Sequence, residues 1–120
     1  MLDGAEVIAF VPSSDLERSL DFYGRTLGLE LLARDEFACQ FPGIRVTLAD
    51  EPARAPYTVL GWRVEDIEAS VRELSERGVV FQNYAGMDQN ELGIWMAPSG
   101  ARIAWFKDPD ENTLSLAQVP

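Results

Sequence analysis

The side chains that could do chemistry in this 120-residue chain include no histidine. Histidine is the commonest metal ligand in proteins and the one side chain whose unperturbed pKa lies near neutral pH. Any binding or reaction must therefore rest on carboxylates, hydroxyls, the single thiol of Cys39, the ten basic side chains or a bound cofactor. Cys39 lies in an apolar stretch with no evident base beside it, which predicts an inert buried thiol. No residue is assigned a catalytic role.

The charges of the chain exclude several classes of partner. Twenty Asp and Glu residues face ten Lys and Arg residues, which gives a formal net charge of −10. A polyanion is repelled by such a field, so we expect neither nucleic acid nor an anionic membrane as a partner. No apolar run approaches the roughly 20 residues of a membrane span. The lone cysteine and the absence of a basic signal-peptide region predict a cytoplasmic protein.

Five aromatic side chains are candidates for contacting a ligand, namely Tyr57, Trp62, Tyr84, Trp95 and Trp105. Trp95 lies beside Met96 in an irregular stretch, which suits either a ligand wall or a dimer contact. The phenol of Tyr57 could act as an acid, a base or a hydrogen-bond donor, although a tyrosine at the start of a strand is also commonly packed. Trp62 is predicted to be core beneath the second helix.

Hydrophobic periodicity predicts the elements that would position these side chains. In the first half, a strand at 6–11 stops at Pro12, and a capping box from Ser14 to Glu17 starts a helix that Gly28 ends. Short strands follow at 29–34, 37–41 and 44–49. In the second half, Asp66 caps a helix that Gly78 ends, and the predicted strands are 57–64, 79–83, 101–107 and 113–118.

The second half repeats the first. Residues 14–19 can be laid over 65–70, and 46–49 over 114–117. The prediction is an α+β fold with two tandem βαβββ modules, about 5–50 and 57–118, joined by a linker at 50–56. The modules would form a curved mixed sheet around a cavity, with the helices on the outer face, as one domain over residues 1–120.

Three motifs in order carry a family resemblance. They are Asp15-Leu16-Glu17-Arg18-Ser19-Leu20-Asp21-Phe22-Tyr23 with Leu27-Gly28-Leu29, then Trp62-Arg63-Val64-Glu65-Asp66-Ile67, and finally Trp105-Phe106-Lys107-Asp108-Pro109-Asp110-Glu111-Asn112. Together they resemble the vicinal oxygen chelate superfamily, which includes glyoxalase, bleomycin-resistance proteins and extradiol dioxygenases. The resemblance implies a homodimer. It also implies glycine where this chain has Glu111, which would be strained by about 1 kcal/mol if that position needs a positive φ.

The same resemblance implies a divalent metal held by inward-facing residues of the first, fourth, fifth and eighth strands. The corresponding positions are Thr47, Val59, Ser115 and, on the first strand, either Glu6 or Ile8. A neutral hydroxyl is too weak a donor to hold a catalytic divalent metal unaided. We therefore predict no metal site and no cofactor.

Strand alternation predicts which side chains line the cavity. The lining would be apolar, with two hydroxyls and two guanidiniums, and the predicted ligand-binding residues are Phe10, Arg45, Thr47, Tyr57, Arg63, Trp95 and Ser115. Arginine binds carboxylates bidentately, so a ligand with an anionic or acceptor-rich group would fit. Alternatively, Arg45 and Arg63 pair with Asp or Glu side chains at the surface. The acidic net charge would equally fit a cationic glycopeptide drug, or solubility alone.

The predicted function is metal-independent binding of a small organic ligand, of the glyoxalase/bleomycin-resistance type. The alternative is a glyoxalase-like lyase or dioxygenase with an atypical metal site, in which Glu6, Gln40 or Glu91 recruits the metal.

Overall fold

A computed structural model describes all residues from Met1 to Pro120. The chain forms two compact units, Met1–Ala53 and Arg54–Pro120. Each unit has the order β-α-β-β-β and one four-stranded mixed sheet. The predicted α+β fold of two tandem βαβββ modules is confirmed. None of the helices is both long enough and apolar enough to cross a bilayer.

In the first unit, the chain runs through β1 (Ala9–Ser13), α1 (Leu16–Leu20), β2 (Ala33–Arg34), β3 (Ala38–Phe41) and β4 (Ile44–Leu48). The sheet order is β1-β4-β3-β2, with β1 parallel to β4 and the other pairs antiparallel. Alternate residues of β1, β4 and β3 are buried towards the helix, among them Val11, Val46 and Phe41. We call the opposite face of each sheet, which its helix does not cover, the open face of that sheet.

The first helix differs from its prediction in two ways. Its N-cap is Asp15, whose Oδ1 accepts from the backbone N–H of Arg18, and not Ser14. Glu17 does not reach back to the cap, because its carboxylate pairs with Arg34 at 2.6 Å. After Leu20 the helix continues as a π-helical segment, Asp21–Thr26, in which the wider turn directs Tyr23 into the core, where it is fully buried.

Pro12 lies inside β1, although a strand ending before it was predicted. The backbone N–H of Ala9 and the carbonyl of Ser13 bond to the β4 side, so alternate residues such as Pro12 direct their nitrogen away from β4. β1 is at the edge of its sheet, and a proline at an edge loses no ladder hydrogen bond. The prediction was wrong because the sequence does not reveal which strand is at the edge.

In the second unit, the elements are β5 (Leu60–Arg63), α2 (Ile67–Glu76), β6 (Trp95–Met96), β7 (Arg102–Lys107) and β8 (Thr113–Gln118), with sheet order β5-β8-β7-β6. Asp66 caps α2 as predicted, because its Oδ1 accepts from the backbone N–H of Ala69. Leu114 and Phe106 are fully buried on the α2 side of the sheet. Trp62 stacks on Phe106, which fits its predicted place beneath the helix.

The predicted strand at 79–83 is not formed. The backbone N–H of Val79 bonds back to Leu74 of α2, and Gln82 makes a single backbone bond, to Trp105. The edge of β7 is taken instead by the short strand β6, from a stretch with no predicted element. The Gln89 side chain organises the connecting loop, since it accepts from the N–H of Tyr84 and donates to Gln82 and Gly93 carbonyls.

The turn between β7 and β8 holds Glu111 at a φ of +64°, so the condition under which strain was expected at this position is met. The carboxylate of Asp108 accepts from the backbone N–H groups of Asp110 and Asn112, which fixes the turn. Glu111 pairs with Arg54 at 2.8 Å. A residue with a Cβ is strained in this left-handed region by about 1 kcal/mol.

Candidate functional site

The open face of the first sheet carries three of the predicted ligand-binding residues. In the register of the sheet, Phe10 lies beside Arg45 and Arg45 beside Gln40. One step along, Thr47 lies between Pro12 and Ala38. Phe10 is 66% exposed, whereas the next residue of the strand, Val11, points to the other face and is buried in the core. Strand register therefore brings an aromatic ring, a guanidinium and a hydroxyl to one face.

Arg45 is oriented by a neutral partner. Its Nη1 donates to Oε1 of Gln40 at 3.2 Å, and Nε2 of Gln40 contacts the carbonyl oxygens of Phe41 and Ile44. Arg45 makes no ion pair. Its guanidinium is held in place by an amide that is itself anchored to the backbone, so its charge stays available to a ligand.

The hydroxyl of Thr47 is buried and has no hydrogen-bond partner. A buried polar group without a partner is destabilising by about 1–3 kcal/mol. Unsatisfied polar groups of this kind are uncommon in folded proteins and require an explanation. Because this oxygen is buried in the free chain, a ligand can bond to it only if a neighbouring side chain moves.

The open face of the second sheet combines small and large side chains. Gly61 is in register with Ser115, and Ser115 with Trp105. In the next row Arg63 is in register with Ala117. Small residues on β5 and β8 therefore lie beside the indole that β7 supplies.

Three aromatic rings cluster at the β6 side of this face. The ring of Tyr84 meets Trp105 edge to face, with centroids 5.6 Å apart, and Trp95 lies at 6.1 Å from Trp105 with a tilt of 36°. The indole N–H of Trp105 donates to Oγ1 of Thr58 at 3.2 Å. Trp105 is thus the centre of the cluster. It was named among the aromatic candidates but not among the predicted ligand-binding residues. The alternation of β7 could have revealed it, because Trp105 lies between buried Ala104 and Phe106.

Lys107 is a second residue of this face that was not among the predicted ligand-binding residues. It follows Trp105 by two residues on β7, and its Nζ lies 3.1 Å from Oγ1 of Thr113 on β8. Thr113 in turn donates to the carbonyl of Ala55, so the ammonium is held by a hydroxyl that is fixed to the backbone. The same alternation that identifies Trp105 places Lys107 on the open face.

Most basic side chains of the chain are paired with carboxylates. The pairs involve Arg25, Arg34, Arg54, Arg72, Arg77 and Arg102, at N–O distances of 2.6 to 3.8 Å. Arg45, Arg63 and Lys107 make no ion pair with any of the twenty acidic residues. All three lie on open faces, so the alternative in which Arg45 and Arg63 pair at the surface is wrong.

The predicted phenol of Tyr57 lies apart from these clusters. Tyr57 precedes β5 and is 67% exposed, with no hydrogen bond or ring contact, so it is neither packed nor part of the aromatic cluster. Cys39 is fully buried, and burial raises the pKa of its thiol, which agrees with the predicted inert cysteine.

The side chains present do not fit a divalent metal. Thr47 and Ser115 offer neutral hydroxyls, Val59 offers none, and Glu6 precedes the first residue of β1. No three His, Cys, Asp or Glu side chains come together anywhere in the chain. Zinc, nickel and iron sites need several imidazole, thiolate or carboxylate donors. The amide oxygen of Gln40, the atom that could ligate a metal, accepts a hydrogen bond from the guanidinium of Arg45.

A shallow cavity of about 290 Å³ lies on the helix side of the second unit. Val71 and Ser75 of α2 line one side, and Glu91 and Leu92 line the other. No basic or aromatic nitrogen faces it, so its chemistry differs from that of the open face.

The two βαβββ modules agree with a match to a known protein family. A model of the Glyoxalase/Bleomycin resistance protein/Dioxygenase superfamily matches residues 7–116, and the chain belongs to this superfamily. The predicted resemblance is thereby confirmed.

Individual relatives are distant but cover 88% to 100% of the chain. The uncharacterized protein YraH of Bacillus subtilis (strain 168) is 27% identical, over 88% of this chain and 91% of that protein. The crystal structure of TnmS3, an antibiotic binding protein from Streptomyces sp. CB03234, is 29% identical, with a TM-score of 0.68 over 100% of this chain and 99% of that one. A bleomycin-binding protein complexed with bleomycin is 18% identical, with a TM-score of 0.73 over 95% and 98%. The last likeness shows the fold alone.

Proposed function

We propose that this protein binds a small organic ligand without a metal, and that the ligand carries an anionic or acceptor-rich group held at the open face of one of the two sheets. The observation that carries the proposal is the set of unpaired cations, Arg45, Arg63 and Lys107, in a chain with a net charge of −10. The proposed contacts are those predicted from the sequence: Phe10, Arg45, Thr47, Tyr57, Arg63, Trp95 and Ser115.

The charge distribution supports an anion over a cation. Acidic residues outnumber basic ones two to one, so a basic side chain without a carboxylate partner is unusual in this chain. A guanidinium binds a carboxylate through two parallel hydrogen bonds, which gives geometric specificity as well as attraction. A cationic glycopeptide would meet like charges at these faces, which disfavours it as the ligand.

The hydroxyls add neutral hydrogen-bonding capacity. Thr47 has a buried hydroxyl with no partner, close in register to Arg45. Apolar walls with a few convergent polar groups are typical of small-molecule sites. The 29% identity to TnmS3, an antibiotic binding protein, supports binding as the function of this fold in this chain.

We further propose that the protein is a cytoplasmic homodimer. Val7, Ile8 and Phe10 are close in sequence and exposed in the first unit, at 82%, 44% and 66%, and exposed apolar side chains of this kind are available for an interaction surface. Sedimentation velocity should give the mass of a dimer. The variant Phe10→Ser should shift the mass towards the monomer, and a wild-type monomer at all concentrations would contradict the proposal.

The binding proposal can be tested on the purified full chain. Metal content is measured first, followed by thermal shift with Zn²⁺, Ni²⁺, Mn²⁺ and Fe²⁺, and then with a panel of small carboxylates and glycopeptide antibiotics. We expect no stoichiometric metal, no stabilisation by metals and stabilisation by one or more carboxylates. Bound metal at one equivalent together with a clear stabilisation would contradict the proposal and favour a lyase or dioxygenase.

Three variants distinguish binding at an open face from a general effect of removing a positive charge. Arg45→Met and Arg63→Met remove unpaired cations, whereas Arg72→Met removes a surface cation of α2 that is paired with Glu68. The stabilisation by a carboxylate should fall in one or both of the first two variants and stay unchanged in Arg72→Met. An equal response in all three would show that the carboxylate binds elsewhere.

A further inference from the structure

The indole of Trp105 is held from three sides. Its N–H donates to Thr58, the ring of Tyr84 meets it edge to face, and Trp95 packs beside it at 6.1 Å. A ring that is fixed before binding loses little conformational entropy when a ligand stacks on it. Trp105 is therefore a preorganised aromatic surface on the open face of the second sheet.

The position across from Trp105 is unusually low. Ser115 is the cross-strand neighbour, and beyond it Gly61 has no side chain. The Oγ of Ser115 lies 2.8 Å from the place where a Cβ on Gly61 would be. Beside the indole, the sheet thus carries only the hydroxyl of Ser115, which lies over Gly61, and this low row leaves a step against which a flat ring can lie.

A cation lies next to this step. Lys107 and Trp105 are two residues apart on β7, so their Cα atoms are separated by roughly 6–7 Å on the same face. Lys107 bonds to a neutral hydroxyl and has no carboxylate partner. An aromatic surface and an uncompensated ammonium at this spacing match a planar molecule with a ring at one end and a carboxylate at the other.

We propose that the open face of the second unit binds an aromatic carboxylate, with its ring against Trp105 and its carboxylate at Nζ of Lys107. This inference rests on the proposed binding function and names its ligand class. The hydroxyl of Ser115 contacts the ring edge or accepts a hydrogen bond from a ring substituent. Trp95 and Tyr84 support Trp105 as positioning residues.

The probe is 2-naphthoate, titrated calorimetrically into the full chain in low salt with EDTA. Its comparison ligands are 2-naphthamide, which lacks the charge, and cyclohexanecarboxylate, which lacks the aromatic ring. A hydrogen bond to a charged group and an aromatic contact each contribute enough to predict roughly tenfold weaker binding of either comparison ligand. The indole N–H resonances of Trp105 and Trp95 should shift on titration, and that of Trp62 should not.

Two variants locate the contacts. Lys107→Met keeps the apolar stem and should weaken 2-naphthoate by about tenfold without weakening 2-naphthamide. Trp105→Leu should weaken both naphthyl ligands by at least about threefold. The control Arg72→Met should bind 2-naphthoate as the wild type does, and indole N–H spectra show whether each variant keeps its fold.

The possible negative results distinguish failure of the aromatic-carboxylate inference from failure of the binding function. Equal affinities for 2-naphthoate and 2-naphthamide, or an unchanged affinity in Lys107→Met, would overturn the aromatic-carboxylate inference. The binding function would then still stand if other carboxylates stabilise the chain through Arg45. A change of sedimenting mass in Trp105→Leu, with no naphthoate binding, would mean that a second copy of the chain covers this face. Stoichiometric metal would instead overturn the binding function itself.

Discussion

The hydroxyl of Ser115 occupies the space that a side chain on Gly61 would need. A Cβ at position 61 would lie 2.8 Å from Oγ of Ser115 and 3.2 Å from its carbonyl oxygen, and the first of these distances is shorter than a normal contact. The two residues are cross-strand partners of the parallel pair β5–β8. The glycine is therefore required by the close approach of β8 and its serine, without any special value of φ.

The variant Gly61→Ala should lower the free energy of unfolding by about 1–3 kcal/mol, because the added methyl group overpacks the β5–β8 pair. Urea unfolding followed by far-UV circular dichroism, which reports on both units, measures the change. In Gly61→Ala/Ser115→Ala, part of the loss should be recovered, since the shortest contact is removed. Gly4→Ala is the matched control, because no atom lies within 4 Å of its added Cβ. A loss in Gly4→Ala equal to that in Gly61→Ala would contradict the explanation.

Two threonines should respond in opposite ways to the same change. Thr47→Val removes a buried hydroxyl without a partner, and we expect it to raise the free energy of unfolding by about 1 kcal/mol. Thr113→Val removes a hydroxyl that bonds to Ala55 and Lys107, and we expect a loss of about 1–2 kcal/mol. Urea unfolding of both variants gives the comparison. A destabilised Thr47→Val would mean that its hydroxyl has a partner in solution.

The strain at Glu111 can be measured by comparing two substitutions. Glu111→Gly and Glu111→Ala both lose the ion pair with Arg54, but only glycine relieves the left-handed backbone. We expect Glu111→Gly to be more stable than Glu111→Ala by about 1 kcal/mol. Arg54→Ala, which removes the exposed pair alone, should change stability by less than about 1 kcal/mol. Equal stabilities of the glycine and alanine variants would argue against strain at this turn.

Asp35 should make stability depend on pH in the acid range. Hydrogen bonds from the backbone N–H of Phe37, and then of Ala38, hold the pKa of this carboxyl below its ordinary value of 3.8. A depressed pKa means that the carboxylate stabilises the fold at neutral pH and that this contribution is lost as the pH falls below 3.8. The difference in unfolding free energy between wild type and Asp35→Asn should therefore shrink towards pH 2. A constant difference from pH 7 to pH 2 would contradict this account.

The sequence predicts the elements best where a clear period is bounded by turn residues. The hairpin of β7 and β8 was expected at 101–107 and 113–118, and it forms at Arg102–Lys107 and Thr113–Gln118. Buried Leu114 and Leu116 alternate with residues of the open face, as predicted. The prediction of a strand at 79–83 was wrong because an apolar run does not specify a partner. This segment makes one backbone hydrogen bond to β7, from Gln82 to Trp105, while β6 pairs with Arg102 and Ile103.

The candidate site was only partly predictable for the same reason. The alternation of residues along each strand was enough to predict that Phe10, Arg45, Thr47 and Ser115 lie on the open faces. Their role in binding stays a prediction. The importance of Trp105 depends on Tyr84 and Trp95, which come from a stretch with no period. No local pattern could reveal that this stretch returns to β7. The lack of ion pairs at Arg63 and Lys107 likewise depends on three-dimensional distances.

The burial of Cys39 has a practical consequence for a duplicated chain. The single thiol lies in the first unit, whereas all three tryptophans, Trp62, Trp95 and Trp105, lie in the second. The rate at which a reagent modifies the thiol thus reports the unfolding of Met1–Ala53. The change in tryptophan emission reports the unfolding of Arg54–Pro120. Each unit therefore carries its own natural probe of unfolding. Comparison of the two probes measures whether the units unfold together, without an added label.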